Sequence, residues 1–294
     1  MNHYGDVDLV SIACPLSRQC TAVSLHGLAV TFDPLAPGTP RPVVIDQRAR
    51  LESVACPSAT QCTAVDVQGW EDTFDPSSPG LLTSARIATN SVLFAVACPS
   101  IRECAAVGTR GTEVAFSPRS PSSRRTAKLD SYHGAQNVLT AIACTSTSSC
   151  SATIETGLEV TFNPASPGVP RPFRLEAQGH FLSLACASAS LCVIGTGNAN
   201  ALPFDPASPS LDGITPMNAP ELVSEACPLA TQCTFVDDIG SEITYDPASL
   251  RPIGWHQPPS IQIDRNPVTG LACPSATQCT AIDGEGLEVT FNPT

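Results

Sequence analysis

Thiols carry the plainest chemistry in this sequence. Fourteen cysteines fall in seven pairs of one form, C-x5-C: Cys14/Cys20, Cys56/Cys62, Cys98/Cys104, Cys144/Cys150, Cys186/Cys192, Cys227/Cys233 and Cys273/Cys279. Paired thiols either oxidise to disulfides or bind a metal as thiolates. A structural zinc site takes four ligands, often from C-x2-C pairs. Here each pair stands alone in its stretch, and five histidines are too few to complete seven sites. The spacing therefore favours seven disulfides over seven metal centres. It puts the two sulfurs of each pair at the two ends of one hairpin link. Each disulfide would close a loop of about seven residues, worth roughly 2.4 kcal/mol by the chain-entropy relation.

Carboxylates and imidazoles form the second group. Acidic residues recur a few positions after the second cysteine of a pair, at Asp66, Glu155, Asp237, Asp238, Asp283 and Glu285. A ring of such groups around one mouth could hold calcium or a cationic ligand. The competing reading is that Asp suits a tight turn beside Gly. His26, His133 and His180 are expected on the same mouth. With Asp66, Asp237 and Asp283 they make up the candidate ligand-binding set. No G-x-S-x-G, H-E-x-x-H, P-loop or G-x-G-x-x-G context accompanies them. No catalytic residue, metal ligand or cofactor is assigned, with calcium the one ion left open. Glu71, Glu113, Glu159, Glu242 and Glu288 recur at a third equivalent place. Five copies of one carboxylate read as scaffold, bonding backbone where units meet, because a catalytic residue is usually unique.

The elements that must position these groups follow from a repeat. Successive cysteine pairs begin 42, 42, 46, 42, 41 and 46 residues apart. Ala precedes every first cysteine, from Ala13 to Ala272. An aromatic follows every second cysteine by twelve residues: Phe32, Phe74, Phe116, Phe162, Phe204, Tyr245 and Phe291. Two residues later stands a Pro that ends a strand, since it cannot donate to a ladder. A Gly seven after the second cysteine marks a tight turn at six of the seven units. Each unit reads as four short strands, exemplified by Leu51–Cys56, Cys62–Asp66, Glu71–Phe74 and Pro42–Asp46. Four strands per roughly 42-residue unit, repeated seven times, predict an all-β protein. It is a seven-bladed β-propeller of four-stranded antiparallel blades, with one disulfide per blade. A β-solenoid is the runner-up, with coils usually shorter than these units.

The 294 residues are then one closed domain, 1–294, rather than two. Net charge is −12, which disfavours nucleic acid as a partner. No stretch is long and apolar enough to span a membrane. The start, Met-Asn-His-Tyr-Gly-Asp, lacks the basic and apolar regions of a signal peptide. Fourteen paired cysteines nevertheless imply an extracellular or secreted location. The chain is thus expected to be a mature domain, a piece of a longer secreted protein, or to carry an added Met. Shifted by one period, Met1–Tyr4 falls on Val43–Asp46, so the N-terminal segment should complete the last blade. Three units depart from the repeat. Unit three has the basic stretch Pro118–Lys128 followed by Tyr132-His133-Gly134. Unit five has Gly195–Ala201 in place of the usual turn. Unit six has the long outer loop Leu250–Pro259 with Trp255 and His256. Such departures usually map to loops, where function concentrates.

The units resemble the Cys-Pro-Ser-x3-Cys repeats, followed by Ala-Val and a Gly turn, of secreted bacterial repeat proteins of propeller type. The resemblance covers nearly the whole chain and implies architecture rather than activity. Asp66–Phe74 has a slight likeness to the Asp-box of sialidase-like propellers but lacks its residue order, so no sialidase residue is carried over. The expected function is a secreted, non-enzymatic binding or scaffold module, monomeric, presenting a propeller face to a glycan, a cell-wall component or a protein. The alternative is an extracellular hydrolase or lyase with its site at the channel mouth.

Overall fold

A computed structural model of the chain describes residues 2–3, 8–48, 50–78, 83–130, 137–176, 180–210, 213–248 and 257–293. They form seven four-stranded antiparallel sheets. Among the described residues the one helical element is a 3-10 turn at Thr109–Gly111. Blade two runs Leu51–Ser58, Gln61–Asp66, Trp70–Phe74 and Thr83–Arg86, each strand pairing with the next. Three of its strands outrun the sequence reading, the third by starting at Trp70 rather than Glu71. The first continues past Cys56 to Ser58 and the second starts at Gln61, so only two residues join them. A register shift between Ala55 and Ser58 accommodates Pro57, which has no N–H to give a regular ladder.

All seven predicted disulfides are formed: Cys14–Cys20, Cys56–Cys62, Cys98–Cys104, Cys144–Cys150, Cys186–Cys192, Cys227–Cys233 and Cys273–Cys279. Each crosses the first hairpin of its blade, with Cα–Cα distances of 3.9 to 4.1 Å. Cys144 and Cys150 are direct cross-strand partners, as are Cys186 and Cys192.

One aspect of the cysteine reading is corrected. The spacing puts the two sulfurs of a pair at the two ends of one hairpin link. In the structure the cysteines lie within the paired strands, and the two members of a pair differ. The first cysteine of every pair is half-buried, whereas Cys20, Cys62, Cys104, Cys150, Cys192, Cys233 and Cys279 are buried. Both sulfurs project to the same face of the hairpin, toward the preceding blade, but the second cysteine sits on a strand flanked on both sides and the first on the edge strand, so the second is the more covered. Cys233 packs in one cluster with Val193 of blade five, and Cys279 in one with Val236 of blade six. These sulfurs are core atoms rather than groups a ligand could reach.

The first strands, Leu9–Leu16, Leu51–Ser58, Leu93–Ser100, Leu139–Ser146, Phe181–Ser188, Leu222–Leu229 and Val268–Ser275, face one another in a closed ring. Each inner strand has one edge without a strand partner, and the neighbouring blade supplies bonds to it. Ser11 Oγ accepts from Val54 N at 3.1 Å, Ser53 Oγ from Val96 N at 3.2 Å, and Ser224 Oγ from Leu271 N at 3.2 Å. The Gln before the second cysteine makes a second stitch. Gln19, Gln61, Gln232 and Gln278 each donate through Nε2 to a turn carbonyl of the next blade, at 2.7 to 3.0 Å.

The core lies between blades rather than within them. One cluster joins Val23 and Ile45 of blade one to Leu51, Cys62 and Phe74 of blade two. Equivalent clusters occupy the other interfaces, including one that joins Ile282 and Ala272 of blade seven to Leu9, Cys20 and Phe32 of blade one. The Ala before the first cysteine is explained here. Ala13, Ala55, Ala97, Ala226 and Ala272 are half-buried and pack against the cluster shared with the following blade.

Fourth strands depend on the local sequence. They are two residues long in blades one, four and five, where the reading gave Pro42–Asp46 to the first of them. Prolines before Val43 limit donation to the ladder. Blade three is the exception. The basic stretch read as a loop is a nine-residue strand, Ser120–Lys128, paired along Thr112–Ser117. Leu250–His256 and His133 lie outside the described residues.

The last blade is completed by the N-terminal segment. Asn2 pairs with Glu288 and His3 with Leu287, antiparallel. In blade one the corresponding partners are Val43 with Ala29 and Val44 with Leu28. Val43 therefore corresponds to Asn2, one residue later than the 42-residue shift gives. Thr269 Oγ1 donates to Leu9 O at 2.7 Å and Gln278 Nε2 to Ser17 O at 2.7 Å, so blades seven and one are also stitched on their inner strands.

Two measurements test this packing. Ala97→Leu should overpack the interface between blades three and four, costing about 1–3 kcal/mol. An unchanged denaturant midpoint would contradict that placement. Deleting residues 1–6 should lower the melting temperature and give oligomers through the bared edge of Leu287–Phe291. A monomer of unaltered Tm on calorimetry and size exclusion would show that the terminal pairing contributes nothing.

Candidate functional site

The turn between second and third strands is built the same way in most blades. Its first residue accepts backbone N–H groups through its side chain. Asp66 Oδ1 accepts from Gln68 N at 2.9 Å and Trp70 N at 2.7 Å. Asp237 Oδ1 does so from Ile239 N and Ser241 N at 3.1 and 2.7 Å, and Asp283 Oδ1 from Leu287 N at 2.6 Å. Ser24 and Thr196 do the same with hydroxyls. Asp66, Asp237 and Asp283 are fully buried in their own turns. The acidic repeat is thus chiefly turn chemistry. Among the described residues no three His, Cys, Asp or Glu side chains converge as a metal cluster.

The turn glycine ties this turn to the link leaving the blade. Gly69 O accepts from Ile87 N and Ala88 N, and Gly27 O from Ile45 N and Asp46 N. Gly27 has φ +72°, and an added Cβ would lie 1.9 Å from Asp46 O. Turns and links therefore share one face of the ring. Unit five has no Gly at this place. Ala199 takes φ +54° instead and still accepts from Met217 N.

Of the histidines read from sequence, His26 and His180 sit on this face. His26 Nε2 is 2.8 Å from Asp8 Oδ2, and His180 Nε2 is 3.3 Å from Glu155 Oε1. His180 and Glu155 border a hollow of about 350 Å3 lined also by Glu52, Phe94, Val138, Thr140 and Leu182. Glu52, Phe94, Thr140 and Leu182 are the second residues of four consecutive inner strands. The hollow therefore lies at the mouth of the central channel. It has an apolar wall, one aromatic ring, the Glu155 carboxylate beside the His180 imidazole and a second carboxylate at Glu52. Sequence reasoning found His180 and Glu155 here but missed Glu52 and Phe94. Their signal was positional: one site per unit that varies while its neighbours repeat.

A second group was also missed. Arg48 Nε donates to Asp46 Oδ1 at 2.8 Å, and its Nη2 donates to Asp72 Oδ1 and Oδ2 at 2.8 and 3.0 Å. The guanidinium carbon lies 4.1 Å from the Trp70 ring centroid. Both carboxylates are fully buried. Asp72, which interrupts the usual third-strand pattern, is there to receive Arg48. Burial pushes the carboxyl of Asp66 up, and neighbouring Asp46 adds to that rise.

The recurring glutamates face inward. Glu71, Glu159, Glu242 and Glu288 accept through Oε2 from the Thr two residues on, at 2.7, 3.2, 2.9 and 3.3 Å. The expected backbone partner at the blade junction is thus a hydroxyl of the same strand. Burial pushes Glu71 and Glu113 up to about 8 and Glu159 to about 7. Unit six adds a unique case. Glu225 replaces an aliphatic residue of the inner strand and accepts from Ser183 Oγ at 2.7 Å. Gly195 makes room, since a Cβ there would come within 2.7 Å of Glu225 Oε2. Burial pushes Glu225 up to about 8, and its charge in turn raises Tyr245, already raised by burial.

The fold and face together define a seven-bladed β-propeller carrying a disulfide in each blade. No protein-family model matches the chain, and no curated protein matches it.

The buried carboxyls fix the sign of a pH dependence. Their folded pKa values exceed the unfolded value, near 4.3 for Glu. The stability tied to their protonated form is complete below that value and is lost as pH rises through about 7 to 8. The melting temperature should be higher at pH 5 than at pH 8.5. Glu225→Gln should shrink that difference, with Glu225 accounting for a few kcal/mol. Parallel pH profiles for the two proteins would sink the assignment.

Proposed function

We propose that this protein is an extracellular, non-enzymatic binding or scaffold module. It acts as one propeller over residues 1–294, monomeric, and presents its turn-bearing face to a glycan, a cell-wall component or a protein. The observation that carries this reading is the hollow at the channel mouth. Phe94, Val138 and Leu182 give an apolar surface for a sugar face, and Glu52, Thr140, Glu155 and His180 offer polar partners around it. His26 extends that rim. Asp66, Asp237 and Asp283 hold the turns of blades two, six and seven on the same face, outside the hollow itself.

Seven disulfides suit an oxidising compartment. A net charge of −12 disfavours nucleic acid. No helix among the described residues is long and apolar enough to cross a membrane. A hydrolase or lyase at the same mouth is the second reading, favoured by the Glu155 carboxylate beside His180, with a second carboxylate, Glu52, on the same hollow.

A glycan array combined with a hydrolase panel separates the two readings. The expected result is retention of a glycan without turnover, and a roughly tenfold weaker affinity for Phe94→Ala. Turnover that Glu155→Gln abolishes would overturn the binding reading in favour of the enzyme.

A further inference from the structure

We propose that the cleft between blades two and three is a second binding site, built to take the anionic group of a short acidic saccharide. It is separate from the channel mouth and does not depend on the reading given to that mouth.

Two confluent compartments of about 460 and 340 Å3 make up the cleft, sharing Thr89, Asn90, Ser91 and Arg110. Arg86, Arg110, Arg124 and Lys128 line it. The protein carries 15 basic against 27 acidic residues. Four cations on one cleft therefore run against its overall charge. Elsewhere, Arg18, Arg48 and Arg50 are ion-paired to Asp33, to Asp46 and Asp72, and to Glu52. Among the described residues, no carboxylate lies within ion-pair distance of the four cleft cations.

Two departures from the repeat put these charges there. The first is the nine-residue outer strand Ser120–Lys128, against two to four residues in the other blades. Strand alternation sets Arg124, Thr126 and Lys128 on one face of it, toward the cleft. The second is the turn Thr109–Gly111, in which Arg110 adopts φ +61°. A non-glycine residue in the left-handed region is disfavoured, and such outliers point to function when found. The equivalent turn residues of the other blades carry no positive φ.

The cations are also held in place. Lys128 Nζ donates to Arg110 O at 2.7 Å and to Thr112 Oγ1 at 2.6 Å. The Arg86 guanidinium donates to Gln68 O and Thr89 O at 3.2 and 3.4 Å. Burial, and then the like charge of Arg110, lower the pKa of Lys128. A bound anion would relieve that repulsion.

The lining selects the ligand class. Gln68, Asn90, Ser91 and Thr126 interleave neutral donors and acceptors with the charges, suiting hydroxyls. No aromatic side chain lines either compartment, so stacked nucleobases have no platform. The overall negative charge opposes long polyanions. A short saccharide bearing a carboxylate, sulfate or phosphate meets all three conditions.

The test is calorimetric titration of the full chain with trigalacturonate, a sulfated chondroitin tetrasaccharide and a mannose-phosphate oligosaccharide. Methyl-esterified trigalacturonate and an oligoglutamate peptide serve as comparisons. At least one acidic saccharide should bind, more weakly at high salt, and the one preferred identifies the anion. Arg110→Gly should weaken binding about tenfold or more. It should leave Tm equal or higher, because Gly favours the left-handed turn. Should that variant fold poorly, Arg124→Gln on the exposed strand reads the same loss. Arg174→Gln, outside the cleft, should bind as the unaltered protein does. The proposal is overturned if no acidic saccharide binds, if the ester binds equally, or if the cleft variants bind normally. Tighter binding of oligoglutamate would also overturn it and assign the cleft to an acidic peptide.

Discussion

No blade of this protein can bury its own faces. Each hydrophobic cluster takes aliphatic residues from one blade and an aromatic ring and a cystine sulfur from the next, as with Val65 and Ile87 against Cys104 and Phe116. Burial of that kind is satisfied only when the last blade also finds a partner, and Ile282 against Leu9 and Phe32 supplies it. Closure is therefore demanded by the packing itself. The other repeated features serve the same interfaces. Small Ala side chains let inner strands approach. Ser, Thr and Gln side chains bond the inner-strand edges and turn carbonyls of adjoining blades. The disulfides pin the hairpin nearest the axis, where strands are shortest of room.

The same burial governs the electrostatics. Carboxyls placed between blades are pushed toward their protonated forms by burial, as at Glu71, Glu113 and Glu225, and Glu71 and Glu225 take hydroxyl partners in the packed interior. The buried pair of aspartates around Arg48 is the contrasting solution, in which a guanidinium compensates the charge. Charge free to meet a ligand is left on the turn-bearing face. Its distribution there is uneven: carboxylates and imidazoles surround the channel mouth, while guanidinium and ammonium groups gather beside blade three. A regular scaffold thus supports two chemically different surfaces, each made from residues that break the repeat.

Much of the fold was legible because the repeat states it seven times. Cysteine spacing, the Ala before the first cysteine, the aromatic and its Pro, and the turn Gly each answer to a local geometric need. That need recurs in every blade. The strand ends were read less well. Pairing past Cys56 to Ser58 depends on the disulfide and on a bulge around Pro57. The unequal burial within a pair, as in Cys227 against Cys233 or Cys273 against Cys279, was not legible either, because it comes from the second cysteine lying on a strand flanked on both sides and the first on the edge strand. The register of Asn2–His3 differs by one residue from the periodic shift because the closing strand arrives from the other end of the chain. Of the candidate site, His26, Glu155 and His180 were placed on the right face. Asp66, Asp237 and Asp283 drew notice for a regularity that the turns themselves explain.

By itself the sequence determined the class of fold, the number of blades, the cystine pairing and the face on which turns and links meet. All of these follow from interactions within one unit or between identical neighbours, which periodicity reports directly. Only the tertiary structure decided which exceptional residues meet. Glu225, Ser183 and Gly195 come from two blades, and so do Arg86 and Arg124. Nothing in their local sequence links them, because each appears once and its partner is about one unit away. Their meeting is fixed by how blade packs on blade, through contacts that carry no repeating signature along the chain.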